Sequence, residues 1–168
     1  MNEPRRVAQR PAAESDREFL RALFMSTRER EFAFLPGGAL AHAQLFNGQF
    51  TAQLESYRQN FPKANHAIIE VGGVAAGRLY VDRADGILRL IDISLLPEYR
   101  GRGIGTALVQ ALLDEAVPAG GTVMLSVAMS NPAQRLYQRL GFRTVGTDGV
   151  YLFQVAGNGQ PASACPCP

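Results

Sequence analysis

The chain has 168 residues, 46% of them hydrophobic and 19% charged, and its 17 basic and 15 acidic side chains leave a formal net charge of +2. That length predicts one domain that buries roughly two thirds of its unfolded surface, and the near balance of charge argues against a nucleic-acid binder driven by phosphate contacts, local basic patches aside. No apolar run approaches the roughly 20 residues of a membrane helix, and MNEPRRVAQR lacks the apolar core of a secretory signal, so a cytoplasmic protein with no membrane partner is expected.

In chain order, residues 1–6 read as a flexible end and Val7 to Arg10 as a short first strand. Ser15 or Asp16 then caps a helix whose apolar stripe is Phe19, Leu20, Leu23 and Phe24. Thr27 to Phe34 is charged, and Pro36-Gly37-Gly38 breaks it. Ala39 to Arg58 places Leu40, Leu45, Phe46, Phe50, Leu54 and Tyr57 at amphipathic-helix spacing, with Gly48 as a point of break or bend.

After Asn60-Phe61-Pro62 the period becomes that of strands. His66 to Val71 and Val74 to Arg83 are joined by Gly72-Gly73, a pair that supplies the positive φ of a primed hairpin turn. Ala84-Asp85-Gly86 turns the chain again into Ile87 to Leu96, apolar on both faces and therefore a central strand. A helix over Gly105 to Ala116, with Ala107, Leu108, Ala111, Leu112 and Glu115 along it, stops at Pro118 and Gly120-Gly121. Thr122 to Ala128 follows as a buried strand, and a strand, helix, strand order of this length implies parallel neighbours. Asn131 caps a further helix, Pro132 fits its first turn, Gly141 ends it before Phe142, and strands around Thr147-Asp148-Gly149 carry the chain to Val155. The last 13 residues, 156–168, are expected to form a disordered tail; its Cys165 and Cys167 make an incomplete metal site, and reduced thiols are the preferred reading.

The stretch Ile91 to Ala116 carries the chemistry. Glycines at 101, 103 and 105 let backbone N–H groups converge at the start of a helix, whose first donors lack partners and whose dipole adds roughly half a positive charge. Arg100 and Arg102 add full charges, so the loop suits a diphosphate. A dinucleotide fingerprint fails on spacing, because Thr106 or Leu108 falls where its third glycine belongs. A P-loop fails because no lysine follows Gly105.

Arg100-Gly101-Arg102-Gly103-Ile104-Gly105 resembles the pyrophosphate loop of the GNAT acyltransferases, Arg/Gln-x-x-Gly-x-Gly/Ala, and NPAQRLYQRLGF from Asn131 to Phe142 resembles that family's fourth helix in the family's order. The resemblance implies the GNAT fold for residues 7–155. This is an α/β (α+β) domain with a single mixed, largely antiparallel sheet of six to seven strands, splayed at its centre and flanked by about four helices. It also implies acetyl-coenzyme A as co-substrate without a metal, held by Arg100, Gly101, Arg102, Gly103, Ile104, Gly105 and Thr106, with Asn131 nearby. An N–H from Leu95 or Leu96 would polarise the thioester carbonyl, a donor type whose loss costs on the order of 3 kcal/mol.

By the same resemblance Tyr137 reaches the coenzyme sulfur. A phenol near pKa 10 facing a thiol near 8.5 makes full proton transfer uphill by about 2 kcal/mol, so a strong hydrogen bond is the expectation. Asp92, three residues before Leu95, is the candidate base for the amine, with Glu70 in reserve; His66 is read as a surface or capping residue. The implied reaction is acetyl transfer to a primary amine of a small molecule or peptide. The alternatives are a larger acyl-coenzyme A or a non-catalytic acyl-coenzyme A sensor. Acceptor choice is expected in the wall between the first two strands, where Glu29, Glu31 and Glu55 are too scattered to indicate a polycation. Family members are often homodimers.

Overall fold

The structure, a computed structural model, describes residues 6–28 and 38–158. The break expected at Pro36-Gly37, Glu29 and Glu31 of the acceptor wall, and residues 159–168 of the expected tail, with Cys165 and Cys167, lie outside the described residues, whereas Ala156 and Gly157, expected in that tail, end the last strand of the sheet. Seven strands and four α-helices are described: β1 (Val7–Pro11), α1 (Arg17–Thr27), α2 (Ala39–Asn60), β2 (Asn65–Val71), β3 (Val74–Ala84), β4 (Ile87–Leu95), α3 (Ile104–Ala116), β5 (Thr122–Ala128), α4 (Gln134–Arg139), β6 (Arg143–Thr147) and β7 (Tyr151–Gly157). The strands make one seven-stranded sheet in the order β1-β2-β3-β4-β5-β7-β6. It is mixed, as expected, with β4 and β5 parallel and β1–β2, β5–β7 and β6–β7 antiparallel.

Both expected hairpin turns form, the first for the expected reason. Gly72 and Gly73 have φ of 62° and 80°, and Asp85 and Gly86 have φ of 53° and 74°, a left-handed pair in each turn that matches the twist of the flanking strands. The centre of the sheet is splayed. β4 and β5 share four rungs, from Ile87↔Thr122 to Leu90↔Leu125, although β4 runs on to Leu95 and β5 to Ala128. β5 meanwhile stays paired with β7 along its whole length, from Thr122↔Gly157 to Ala128↔Tyr151. Residues 91–96 are consequently only half-buried, although the strand is central.

The described residues fall into two compact units. One holds those up to Leu79 together with Ile93–Arg100; the other holds Tyr80–Asp92 and those from Gly101 on. The core of the first is Leu20, Phe24, Phe46, Phe50, Leu54 and Ile68, with Phe19 packed at its margin. Phe24 and Phe50 meet at 5.7 Å between ring centroids. Three expectations need correction here. Gly48 neither breaks nor ends α2, and Leu40 and Leu45 lie 75% and 46% exposed, because the buried stripe is Phe46, Phe50, Leu54 and Tyr57. Asp16 does not bond into α1. Its carboxylate accepts the Ala13 N–H at 2.8 Å and two Arg10 N–H bonds at 2.7 Å each, which closes the short 3-10 turn Glu14–Asp16 ahead of the helix.

In the second unit, α3 buries Ile104, Leu108, Val109, Leu112, Leu113 and Ala116. Ala107, Ala111 and Glu115 are exposed, one turn-face away from the stripe the sequence suggested. Glu115 instead accepts two hydrogen bonds from Arg83 at 2.6 and 2.8 Å. α3 ends through Val117–Ala119 and Gly120 at φ 77°, and Gly121 is required by close approach, since a Cβ there would lie 2.7 Å from the Gly86 carbonyl oxygen.

Candidate active site

The chain enters α3 through two left-handed glycines, Gly101 at φ 70° and Gly103 at φ 78°. A side chain on either would meet nothing within 4 Å, so the backbone conformation, which costs an L-residue about 1–2 kcal/mol, is what demands glycine. Gly105 is different: inside the first turn of α3, its added Cβ would make an ordinary contact with Leu136 Cδ1 at 3.9 Å, and alanine would fit. Gly103 occupies the N-cap position and offers no capping side chain. The first intrahelical bond runs from the Ala107 N–H to the Gly103 carbonyl at 2.9 Å. The N–H groups of Ile104, Gly105 and Thr106 therefore lie at the positive end of a 13-residue helix with no side-chain cap, beside an exposed Arg102. This donor set fits a phosphate or diphosphate.

Tyr137 sits in α4, 7% exposed. The residues after it explain its position. The Phe142 N–H bonds the Tyr137 carbonyl at 3.0 Å and the Gly141 N–H bonds the Gln138 carbonyl at 3.1 Å, with Gly141 at φ 85°. That is a Schellman closure. Its hydrophobic contact is the Phe142 ring edge against the Tyr137 ring, 5.6 Å between centroids. Burial, then the negative charge of Asp92, pushes the Tyr137 phenol up to about 12, so it is a proton-bearing donor at neutral pH. The two expected catalytic residues are thus close enough for one charge to act on the other. Asp92 itself is half-buried on β4, two residues past the last rung with β5. Asn131 does not occupy the expected cap position, which is Ala133: its Oδ1 accepts the Ala133 N–H at 2.9 Å and closes the turn ahead of α4, while Gln134 Nε2 donates to the carbonyls of Ala128 and Met129 at 3.1 and 2.6 Å.

Leu95 and Leu96 end β4 with different backbone roles. The Leu96 N–H donates to the Ala76 carbonyl of β3 at 2.9 Å. Successive residues of a strand direct their N–H and C=O groups to opposite edges, so both groups of Leu95 face away from β3, beyond the last β4–β5 rung. The Leu95 carbonyl accepts Arg100 Nε at 2.7 Å, and Arg100 also donates to the Ser26 carbonyl and Oγ at 3.2 and 3.1 Å. Arg100 is therefore engaged with protein acceptors through its side chain. Gly77 on β3 is a site feature that sequence reading passed over: an added Cβ would overlap the Ser94 carbonyl oxygen and lie 2.7 Å from Leu95 Cδ2. A glycine inside a strand pattern was the available signal. Glu70, the reserve base, accepts Arg10 Nε at 2.8 Å.

Comparison with known proteins bears on these features. The chain is 36% identical over 85 residues to streptothricin acetyltransferase of Streptomyces lavendulae, covering 48% of this chain and 45% of that protein. It is 44% identical over 66 residues to the N-alpha-acetyltransferase RimI of Mycobacterium tuberculosis, covering 39% and 40%. The matches thus span less than half the length of these relatives. The PaiA N-acetyltransferase of Thermoplasma acidophilum, solved in complex with coenzyme A, superposes with a TM-score of 0.65 at 16% identity over 90% of this chain and 99% of that one, which shows a shared fold. Residues 28–142, which take in the splayed β4, the glycine turn into α3 and the Tyr137 helix, match the model of the acetyltransferase (GNAT) family, and the chain belongs to that family.

Proposed function

We infer that the protein transfers an acetyl group from acetyl-coenzyme A to a primary amine. The observation that carries this reading is the α3 start: an uncapped helix N-terminus reached through Gly101 and Gly103, with Arg102 beside it. In this reading the backbone N–H groups from Arg102 to Thr106 and the Arg102 guanidinium hold the diphosphate of the coenzyme. The bound coenzyme supplies an activated acyl thioester. The Leu95 N–H, turned from β3, orients and polarises the acyl carbonyl, whereas the Leu96 N–H is committed to Ala76. Most of the rate then comes from holding both reactants in place, worth several kcal/mol.

Tyr137 keeps its proton and donates it as a hydrogen bond at the leaving sulfur. With the phenol at about 12 and a thiol near 8.5, complete transfer would be uphill by about 5 kcal/mol. Asp92 accepts the proton of the incoming amine, directly or through one water. The amine belongs to a small molecule or a peptide N-terminus, since the chain resembles both streptothricin acetyltransferase and, at 33% identity over 79 residues, the ribosomal protein bS18-alanine N-acetyltransferase of Haemophilus influenzae.

Calorimetric titration with acetyl-coenzyme A, coenzyme A, ATP and NAD tests the coenzyme site. Selective micromolar binding of the first two supports it, and binding of neither overturns it. Thiol release on adding streptothricin or an alanine-led peptide then separates transfer from a sensor, which binds without turnover.

A further inference from the structure

The Leu95 peptide is held from two sides. On the β3 side the Leu96 N–H is bonded to Ala76 at 2.9 Å, and the bare Cα of Gly77 lets the Ser94–Leu95 backbone come closer than any side chain would allow. On the other side Arg100 reaches back along the chain. Its Nε donates to the Leu95 carbonyl at 2.7 Å, and its terminal nitrogen donates to the carbonyl and hydroxyl of Ser26, in the last turn of α1, at 3.2 and 3.1 Å. Since the Leu95 N–H and C=O face the same edge, taking up the carbonyl leaves the N–H as that residue's remaining backbone donor there. A guanidinium suits this bridge because its planar fork fixes the angle between two acceptors, which a lysine ammonium on a flexible stem cannot do.

We propose that Arg100 is a positioning residue, which braces the Leu95 peptide against the end of α1 and so sets the direction of the Leu95 N–H; its side chain is not a diphosphate ligand. The proposal rests on the acyltransferase reading for its catalytic consequence but not for the brace itself. The two roles differ in what a lysine can rescue. A phosphate contact needs a positive charge, which lysine supplies. The brace needs the fork, and Arg100→Lys fails it as Arg100→Met does.

The test combines nuclear magnetic resonance with calorimetry on the full chain. In the unliganded protein the Arg100 Nε–H signal is expected to be protected from exchange and to lose part of that protection in Ser26→Ala. An unprotected signal overturns the brace whether or not the coenzyme binds. With 15N-leucine labelling, acetyl-coenzyme A but not coenzyme A is expected to shift the Leu95 amide of the parent downfield, and that acetyl-specific shift is lost in both Arg100→Lys and Arg100→Met. Coenzyme A affinity stays within about threefold of the parent in both variants. Thiol release with the better of streptothricin and an alanine-led peptide falls roughly 10- to 100-fold. A loss of coenzyme A affinity in Arg100→Met that Arg100→Lys restores, or an acetyl-specific Leu95 shift that survives in both variants, overturns the proposal. A protected Arg100 signal in a parent that binds no coenzyme A sinks the acyltransferase reading and leaves the brace standing.

Discussion

Helix α4 and helix α3 begin in opposite ways. The turn into α4 is closed by its own sequence, with Asn131 Oδ1 on the Ala133 N–H and Gln134 holding the carbonyls behind it. α3 begins at a glycine in the left-handed region, with no side chain to take its first N–H groups. α1 resembles α4, since Asp16 and Arg10 close the turn that precedes it. A helix start that the chain closes is part of the scaffold; a long helix start held open by two glycines that no packing requires has the donor set that fits an anion.

Substitutions can break that contrast or sharpen it. The largest effect is expected at the scaffolded end, where the proposed mechanism uses Tyr137: Tyr137→Phe should lower thiol release about 10²-fold with little change in coenzyme affinity by calorimetry, and normal turnover would remove Tyr137 from the mechanism. At the open start, Arg102→Glu should weaken acetyl-coenzyme A binding by roughly 30- to 100-fold, about 2–3 kcal/mol. The melting temperature should stay put, because Arg102 is exposed. Gly103→Ala forces a Cβ into φ 78° and should cost about 1–2 kcal/mol in denaturant unfolding, together with weaker coenzyme binding.

The closed starts should respond in stability alone. Arg10, through its hydrogen bonds, holds the Asp16 carboxyl down at about 2 against an unfolded value of 3.8. Its contribution is complete above pH 3.8 and is lost as pH falls towards 2. Acid titration of stability should show about 1–2 kcal/mol disappearing in that window, and Asp16→Asn should flatten it. Asn131→Ala should cost about 1 kcal/mol of stability, read in urea. If it also abolished coenzyme binding, the Asn131 amide would belong to the open site after all.

Much of this contrast was legible in the chain. Gly141-Phe142 stops α4 by a local rule, and the same rule brings Phe142 onto Tyr137, so a short motif fixes the buried tyrosine. The pairs Gly72-Gly73 and Asp85-Gly86 fix their hairpins for similarly local reasons. What escaped is non-local. The insertion of β7 between β5 and β6 leaves no trace in spacing. Which stripe of α2 and α3 is buried depends on what packs against it: Leu40 and Leu45 drop out of the expected α2 stripe, and in α3 Val109 and Leu113 are buried where Ala107 and Ala111 were expected. Of the site residues, the roles of Leu95 and Leu96 parted only when the Ala76 partner was known.

The sequence by itself determined the turns, the helix stops, the open glycine entry to α3 and the family they resemble, because each rests on backbone preferences within a few consecutive residues. Only the tertiary structure decided that β4 leaves β5 after Leu90, that Gly77 admits the Leu95 backbone, and that Arg100 spans from Ser26 to Leu95. These join residues up to 74 positions apart, and no local preference encodes a distance across the fold.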